Sequence, residues 1–154
     1  MSEFRPEEQN FDIGDKAVAV IVARWNSQIT EGLLQGALKE LERNNVANYK
    51  VIRVPGAFEL PIAAKRVAQT GKYDAIVTLG CVIRGDTPHF DYVCSETARG
   101  VGEVALTESL PVAFGVLTTD DLAQSLARSG DDEENKGIEA VAAALELLVT
   151  FEDL

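Results

Sequence analysis

Apolar run and amphipathic helix alternate four times along this chain, and no stretch between them is long enough to separate two domains. The apolar runs are Ala17–Ala23, Tyr49–Val54, Asp74–Cys81 and Val112–Leu117. The first is small or β-branched throughout, the pattern of a strand covered on both faces. Between the runs the spacing changes to three and four residues. Ile29, Leu33, Leu34, Ala37, Leu38 and Leu41 predict a helix over about Gln28–Asn44, and Pro61 opens another that Gly71 stops. Val93, Thr97, Val101, Val104 and Ala105 mark a third helical face. A short helix over about Asp121–Arg128 and a last one over Lys136–Glu152 complete the pattern. Strict β/α alternation implies an α/β protein with a four-stranded parallel sheet, helices on both faces and right-handed crossovers.

The 154 residues fit one domain, read as residues 16–154 behind a polar N-terminal arm at 1–15. That arm carries isolated Phe4, Phe11 and Ile13, and is either a frayed tail or an arm lying on a neighbouring subunit. The net charge of −11 leaves no basic stripe for nucleic acid and disfavours anionic membranes, although a few focused cations can still hold one phosphate. Residues 1–14 contain no apolar signal core, and Ile138–Val149 is too short to span a bilayer. With two cysteines, Cys81 and Cys94, no disulfide framework is expected, and a reducing, cytoplasmic setting is. One histidine with no CxxC or HxxxH spacing argues against a dedicated metal site. The last helix is apolar on more than one side, since Ala140, Ala143, Ala144 and Leu147 flank its main stripe. Its outer side is therefore expected to meet another subunit.

Ligands of open parallel sheets bind beyond the carboxyl ends of the strands. Four loops leave those ends, and each is unusual. The first holds Trp25 and Asn26, and Asn26 or Ser27 is placed to cap the helix that follows. Trp25 is either a core or lid residue or a stacking surface for a flat heterocycle. The second loop holds Gly56, Ala57, Phe58 and Glu59, where Glu59 is either a helix cap or a ligand contact. The third, Gly80 through Phe90, contains the only histidine, His89, which is either structural or a proton carrier. Amides at Gly85, Asp86 and Thr87 can cradle a phosphate if the Asp86 carboxylate points away. The fourth is Thr118–Asp120. Arg128 and Lys136 read alone as surface cations, and they bracket the acidic link Asp131-Asp132-Glu133-Glu134.

Taken together, Val54-Pro55-Gly56-Ala57-Phe58-Glu59-Leu60-Pro61, Ile83-Arg84-Gly85-Asp86-Thr87-Pro88-His89-Phe90-Asp91-Tyr92, Phe114-Gly115-Val116-Leu117-Thr118 and Asn135-Lys136-Gly137 resemble the lumazine synthase family over about residues 16–150. The resemblance implies a flavodoxin-like three-layer sandwich. It also implies condensation of 5-amino-6-(D-ribitylamino)uracil with 3,4-dihydroxy-2-butanone 4-phosphate to 6,7-dimethyl-8-ribityllumazine, phosphate and water. This is the penultimate step of riboflavin biosynthesis, and it implies no organic cofactor and no metal. By position, Trp25 would stack on the pyrimidine with Asn26 beside it. Ala57, Phe58 and Glu59 would hold the ribityl chain and ring edge, and Val82 and Ile83 would offer backbone groups. Gly85, Asp86, Thr87 and Arg128 would bind phosphate, and His89 would shuttle protons. Phe114 and Lys136 would line the site from an adjacent subunit together with Arg128. The expected partners are two small substrates and further copies of the chain, as a pentamer or a 60-subunit shell.

Three other readings share parts of this pattern. A flavodoxin-type flavin or nucleotide module would use the same loops without needing a histidine. An archaeal-type riboflavin synthase shares the architecture, but His89 and the phosphate loop argue against it. A container whose site is vestigial is disfavoured by the intact set Trp25, Glu59, His89 and Arg128.

Overall fold

A computed structural model describes residues 5–154, so Met1–Phe4, including the isolated Phe4 of the arm, lie outside the described residues. The strands are β1 (Val18–Ala23), β2 (Tyr49–Val54), β3 (Ala75–Ile83) and β4 (Val112–Thr119). The helices are α1 (Ser27–Arg43), α2 (Leu60–Gln69), α3 (His89–Glu108), α4 (Leu122–Leu126) and α5 (Lys136–Glu152), with a 3-10 turn at Ala57–Glu59. The strands form one parallel sheet in the order β2-β1-β3-β4. All six residues of β1 are buried, as its unbroken apolar run requires.

Period-two alternation divides the core into two layers. Val18, Val20, Val22, Val77 and Leu79 pack with Leu33 and Leu41 of α1 and Val141 and Leu145 of α5. Ala19, Ile21 and Ile76 point the other way, onto Leu60 and Ala64 of α2 and Val104 of α3. Helices α1 and α5 cross so closely that a Cβ on Gly137 would collide with the Leu33 carbonyl. The inner stripe of α5 is covered by this chain, but Ala143 and Leu147 on its outer side are exposed. The two-sided burial expected of this helix is therefore not supplied within one chain.

One boundary changes. Strand β3 continues to Ile83 rather than stopping at Cys81, so the loop after it begins at Arg84 rather than at Gly80. The missing side chain of Gly80 serves packing, because a Cβ there would meet Leu60 Cδ1 at 3.1 Å. The described part of the arm makes contacts along its own chain. Arg43 pairs with the buried Glu40 at 2.6 Å and donates to the carbonyl of Gln9 at 2.7 Å. The Phe11 amide donates to Asn44 Oδ1 at 2.7 Å, Ile13 is buried, and Arg5 pairs with Glu134 and Glu139. At the opposite end of the sheet from the carboxyl-end loops, Lys16 pairs with Glu152, and Asp74 accepts from the Ala17 amide at 2.8 Å.

Candidate active site

The chain's direction across the sheet reverses between β1 and β3, and there the two ladders have unequal lengths. Pairing of β1 with β3 ends at Val22–Leu79, while β3 with β4 runs on to Ile83–Thr119. The end of β3 therefore has one side without a strand neighbour. Successive residues of a strand turn their backbone groups to opposite sides. The Cys81 carbonyl faces the β1 side, where the Asn26 side chain reaches it, and the Arg84 amide faces Thr119. By alternation Ile83 presents its N–H and C=O to the space β1 has vacated. Val82 turns its backbone to β4 and its side chain to the α2–α3 layer. An exposed pair of donor and acceptor beside a crevice can read the edge of a flat polar ring.

Trp25, in the turn that follows β1, is 74% exposed, so it is not a core residue. Its amide and that of Arg24 both donate to the Pro55 carbonyl, at 3.0 and 3.2 Å, tying the turn to the end of β2. Asn26 follows in the left-handed region (φ 58°, ψ 48°). Its position at the head of α1 is the expected one, but its side chain makes no capping bond. Instead Nδ2 donates to Cys81 O at 2.8 Å. Ala57 is buried and Phe58 is 57% exposed. Glu59, half-buried, accepts from the Gly56 amide at 3.0 Å through Oε2, the capping role the residues allowed for it. One carboxylate oxygen thus holds the turn while the other can accept from a hydroxyl.

The loop after β3 is held from beneath by Arg84, a residue to which the sequence reading gave no role. Its Nε donates to Asp120 at 2.8 Å, its NH1 reaches Asp91 at 3.5 Å, and its guanidinium lies 4.3 Å from the centre of the Phe90 ring. The hydrogen bond it donates to Asp120, with the charges of Asp120 and Asp91, pushes its already high pKa further up. An arginine directly before Gly85-Asp86-Thr87 was the only available signal. Gly85, Asp86, Thr87 and His89 are all exposed. His89 is the first residue of α3, its amide lies 3.4 Å from Thr87 Oγ1, and no side chain caps that helix. Uncapped amides at the start of a 20-residue helix, next to a turn of three more, favour an anion.

Beneath the crevice, Ser125 Oγ lies 2.6 Å from Thr119 Oγ1 and 3.3 Å from Cys81 Sγ, fastening α4 to the ends of β3 and β4. Burial pushes the Cys81 thiol up despite the Ser125 contact. Three of the expected site residues, those the resemblance assigns to an adjacent subunit, have other partners within this chain. Phe114 pairs with Thr78, five residues before the Ile83–Thr119 end of the ladder, or about 17 Å along the strand. It is 44% exposed on the edge strand. Arg128 donates to Gln124 O at 2.8 Å and Lys136 pairs with Glu139 at 2.7 Å. Among the described residues, no hydrogen bond or ion pair joins either cation to the loop after β3.

No helix among the described residues is long and apolar enough to cross a membrane. Residues 15–152 match the family model described as 6,7-dimethyl-8-ribityllumazine synthase.

Proposed function

This chain belongs to the 6,7-dimethyl-8-ribityllumazine synthase family, transferases of riboflavin biosynthesis, and from that membership we propose how its residues divide the work. The family condenses 5-amino-6-(D-ribitylamino)uracil with 3,4-dihydroxy-2-butanone 4-phosphate, and its small-molecule chemistry goes with an oligomeric assembly. In our reading the pyrimidine lies against Trp25, with its polar edge on the Ile83 backbone and with Asn26, Phe58 and Val82 around it. Ala57 and Glu59 face the ribityl chain. Gly85, Asp86 and Thr87, with the α3 N-terminus, receive the phosphate, the Asp86 carboxylate being turned outward. Arg128, Phe114 and Lys136 come from the adjacent subunit and close the site.

His89 adjoins both the phosphate amides and the crevice. The substrate amine attacks the ketone to give a Schiff base and water, an enolising proton leaves, phosphate departs, and the second amine closes the ring on the remaining carbonyl with loss of a second water. Each step moves a proton that an imidazole can take or return near neutral pH. Holding two substrates in register supplies several kcal/mol, up to about 7–11 for ideal alignment. Neither a metal nor an organic cofactor takes part in this scheme.

Assembly completes the site. Trp25, Phe58, Tyr92, Phe114 and the outer side of α5 are exposed apolar surface that an interface can cover. A pentamer in the cytoplasm, with sites at its interfaces, covers these surfaces.

The observation that carries this reading is the unequal ladder ends at the β1–β3 switch point, with an exposed indole in the turn that leaves β1 there. Mixing the two substrates with the purified protein should give lumazine fluorescence and equimolar phosphate. Trp25→Ala should raise the KM for the pyrimidine about tenfold, consistent with the ~1–3 kcal/mol of a base–aromatic stack, and leave that for the phosphate ester within twofold. Equal effects on the two substrates would refute the assignment.

A further inference from the structure

Trp25 has little side-chain packing of its own, so its ring is located by its backbone. On one side that backbone is tied toward β2, by Arg24 N on Val54 O and Pro55 O and by Trp25 N on Pro55 O. On the other side, toward β3, the one hydrogen bond from this turn among the described residues is Asn26 Nδ2 to Cys81 O at 2.8 Å. Cys81 is two residues beyond Leu79, where the β1–β3 ladder ends, so its inward carbonyl has no partner from β1. The asparagine amide takes the place of the missing strand donor. To do so it gives up the usual cap of α1 and adopts φ 58°, a region that Asn and Gly tolerate and most side chains do not. The Asn26 carbonyl nevertheless starts the helix, accepting from Ile29 N at 2.9 Å and Thr30 N at 3.0 Å. One residue thus joins the indole, the head of α1 and the end of β3.

We infer that Asn26 is a positioning residue that sets the separation between the Trp25 ring and the Ile83 backbone, and hence the width of the slot for the heterocycle. The inference rests on the reading above that this slot takes the pyrimidine. It assigns the work to Nδ2 acting on Cys81 rather than to a contact between Asn26 and the ligand. A stacked ring tolerates little error in spacing, since its hydrogen-bonding edge and its face must be satisfied together.

Two variants separate the possibilities. Asn26→Gly accepts the left-handed backbone and removes the amide. Asn26→Asp keeps an acceptor oxygen for a ligand but has no N–H for Cys81 O, and it sets a carboxylate against that carbonyl. Trp25 is the only tryptophan, so its fluorescence anisotropy in the ligand-free protein reads the anchor without any assumption about substrate. Steady-state kinetics read the slot. We expect both variants to keep the far-UV circular dichroism of the parent, to lower Trp25 anisotropy, and to raise the pyrimidine KM about tenfold, the equivalent of ~1.4 kcal/mol. The KM for the phosphate ester should stay within twofold. An Asp variant with parental kinetics beside an impaired Gly variant would show that the oxygen contacts ligand, and would overturn the inference. Parental anisotropy in both would overturn it as well. Lower anisotropy with an unchanged pyrimidine KM would overturn the positioning role, and would fault the slot assignment rather than the anchor.

Discussion

Asn135 offers the most demanding test of how the second half of the site is held. Its side chain is 2% exposed and satisfies three backbone groups from three segments. Oδ1 accepts from Gly137 N at 2.8 Å, capping α5, while Nδ2 donates to Gly32 O of α1 at 2.9 Å and to Gly130 O at 2.8 Å. Loss of an asparagine cap costs ~0.5–2 kcal/mol. Two further hydrogen bonds contribute ~0.5–1.5 kcal/mol each, and more where the abandoned group stays buried. Asn135→Ala is therefore expected to cost about 3 kcal/mol. For a chain of this size that is a fall of about 6–12 °C in Tm, measured at fixed protein concentration because assembly contributes. Asn135→Asp keeps the cap and loses both donations, so it should fall between the parent and the alanine variant. Lys136 N donates to Arg128 O at 2.9 Å across this junction, so the KM for the phosphate ester should rise in the alanine variant. Urea melts followed by circular dichroism suffice. An alanine variant within 1 kcal/mol of the parent would refute the reasoning, because three buried partners cannot be lost so cheaply.

Three further outcomes are expected. His89→Ala should lower kcat by about 10²–10⁴ and leave measurable turnover, since substrate alignment survives; a folded variant with no activity would contradict this. Both thiols are raised above their ordinary value of 9.0, Cys81 mainly by burial and Cys94 by burial and then Asp91, so a disulfide reagent at neutral pH should react slowly until the protein unfolds. The folded state holds these thiols protonated, so their contribution to stability is full below about pH 9 and is lost as the pH rises beyond it. Urea midpoints taken from neutral to alkaline pH would show the decline. Static light scattering at low and high salt should report a pentamer or a small multiple of it, because Gly130–Asn135 concentrates negative charge; a 60-subunit mass at low salt would rule out self-repulsion.

Much of the fold was legible because burial on both faces leaves an unbroken apolar signature, and β2 falls on the residues its pattern marked. The end of β3 was not. Glycine reads as a turn signal, yet Gly80 is needed for the approach of Leu60, a contact between residues distant in sequence. Asn26 was legible as the head of a helix but not as a lateral tie, since that choice depends on where Pro55 and Cys81 present their carbonyls. The arm's ties to its own chain, such as Arg43 gripping Gln9 and Glu40 together, join residues distant in sequence and left no signal in it. The loops converged as the switch-point rule requires. Phe114, Arg128 and Lys136 did not join them, which is the physical reason for reading them as contributions to another copy's site.

The pairing of Lys16 with Glu152 carries a practical consequence. Those residues sit at the pole of the domain remote from the crevice, and Leu154 just beyond is 92% exposed. A dye, a tether or a fused passenger attached after Leu154 departs from that pole, away from the loops at the carboxyl ends of the strands.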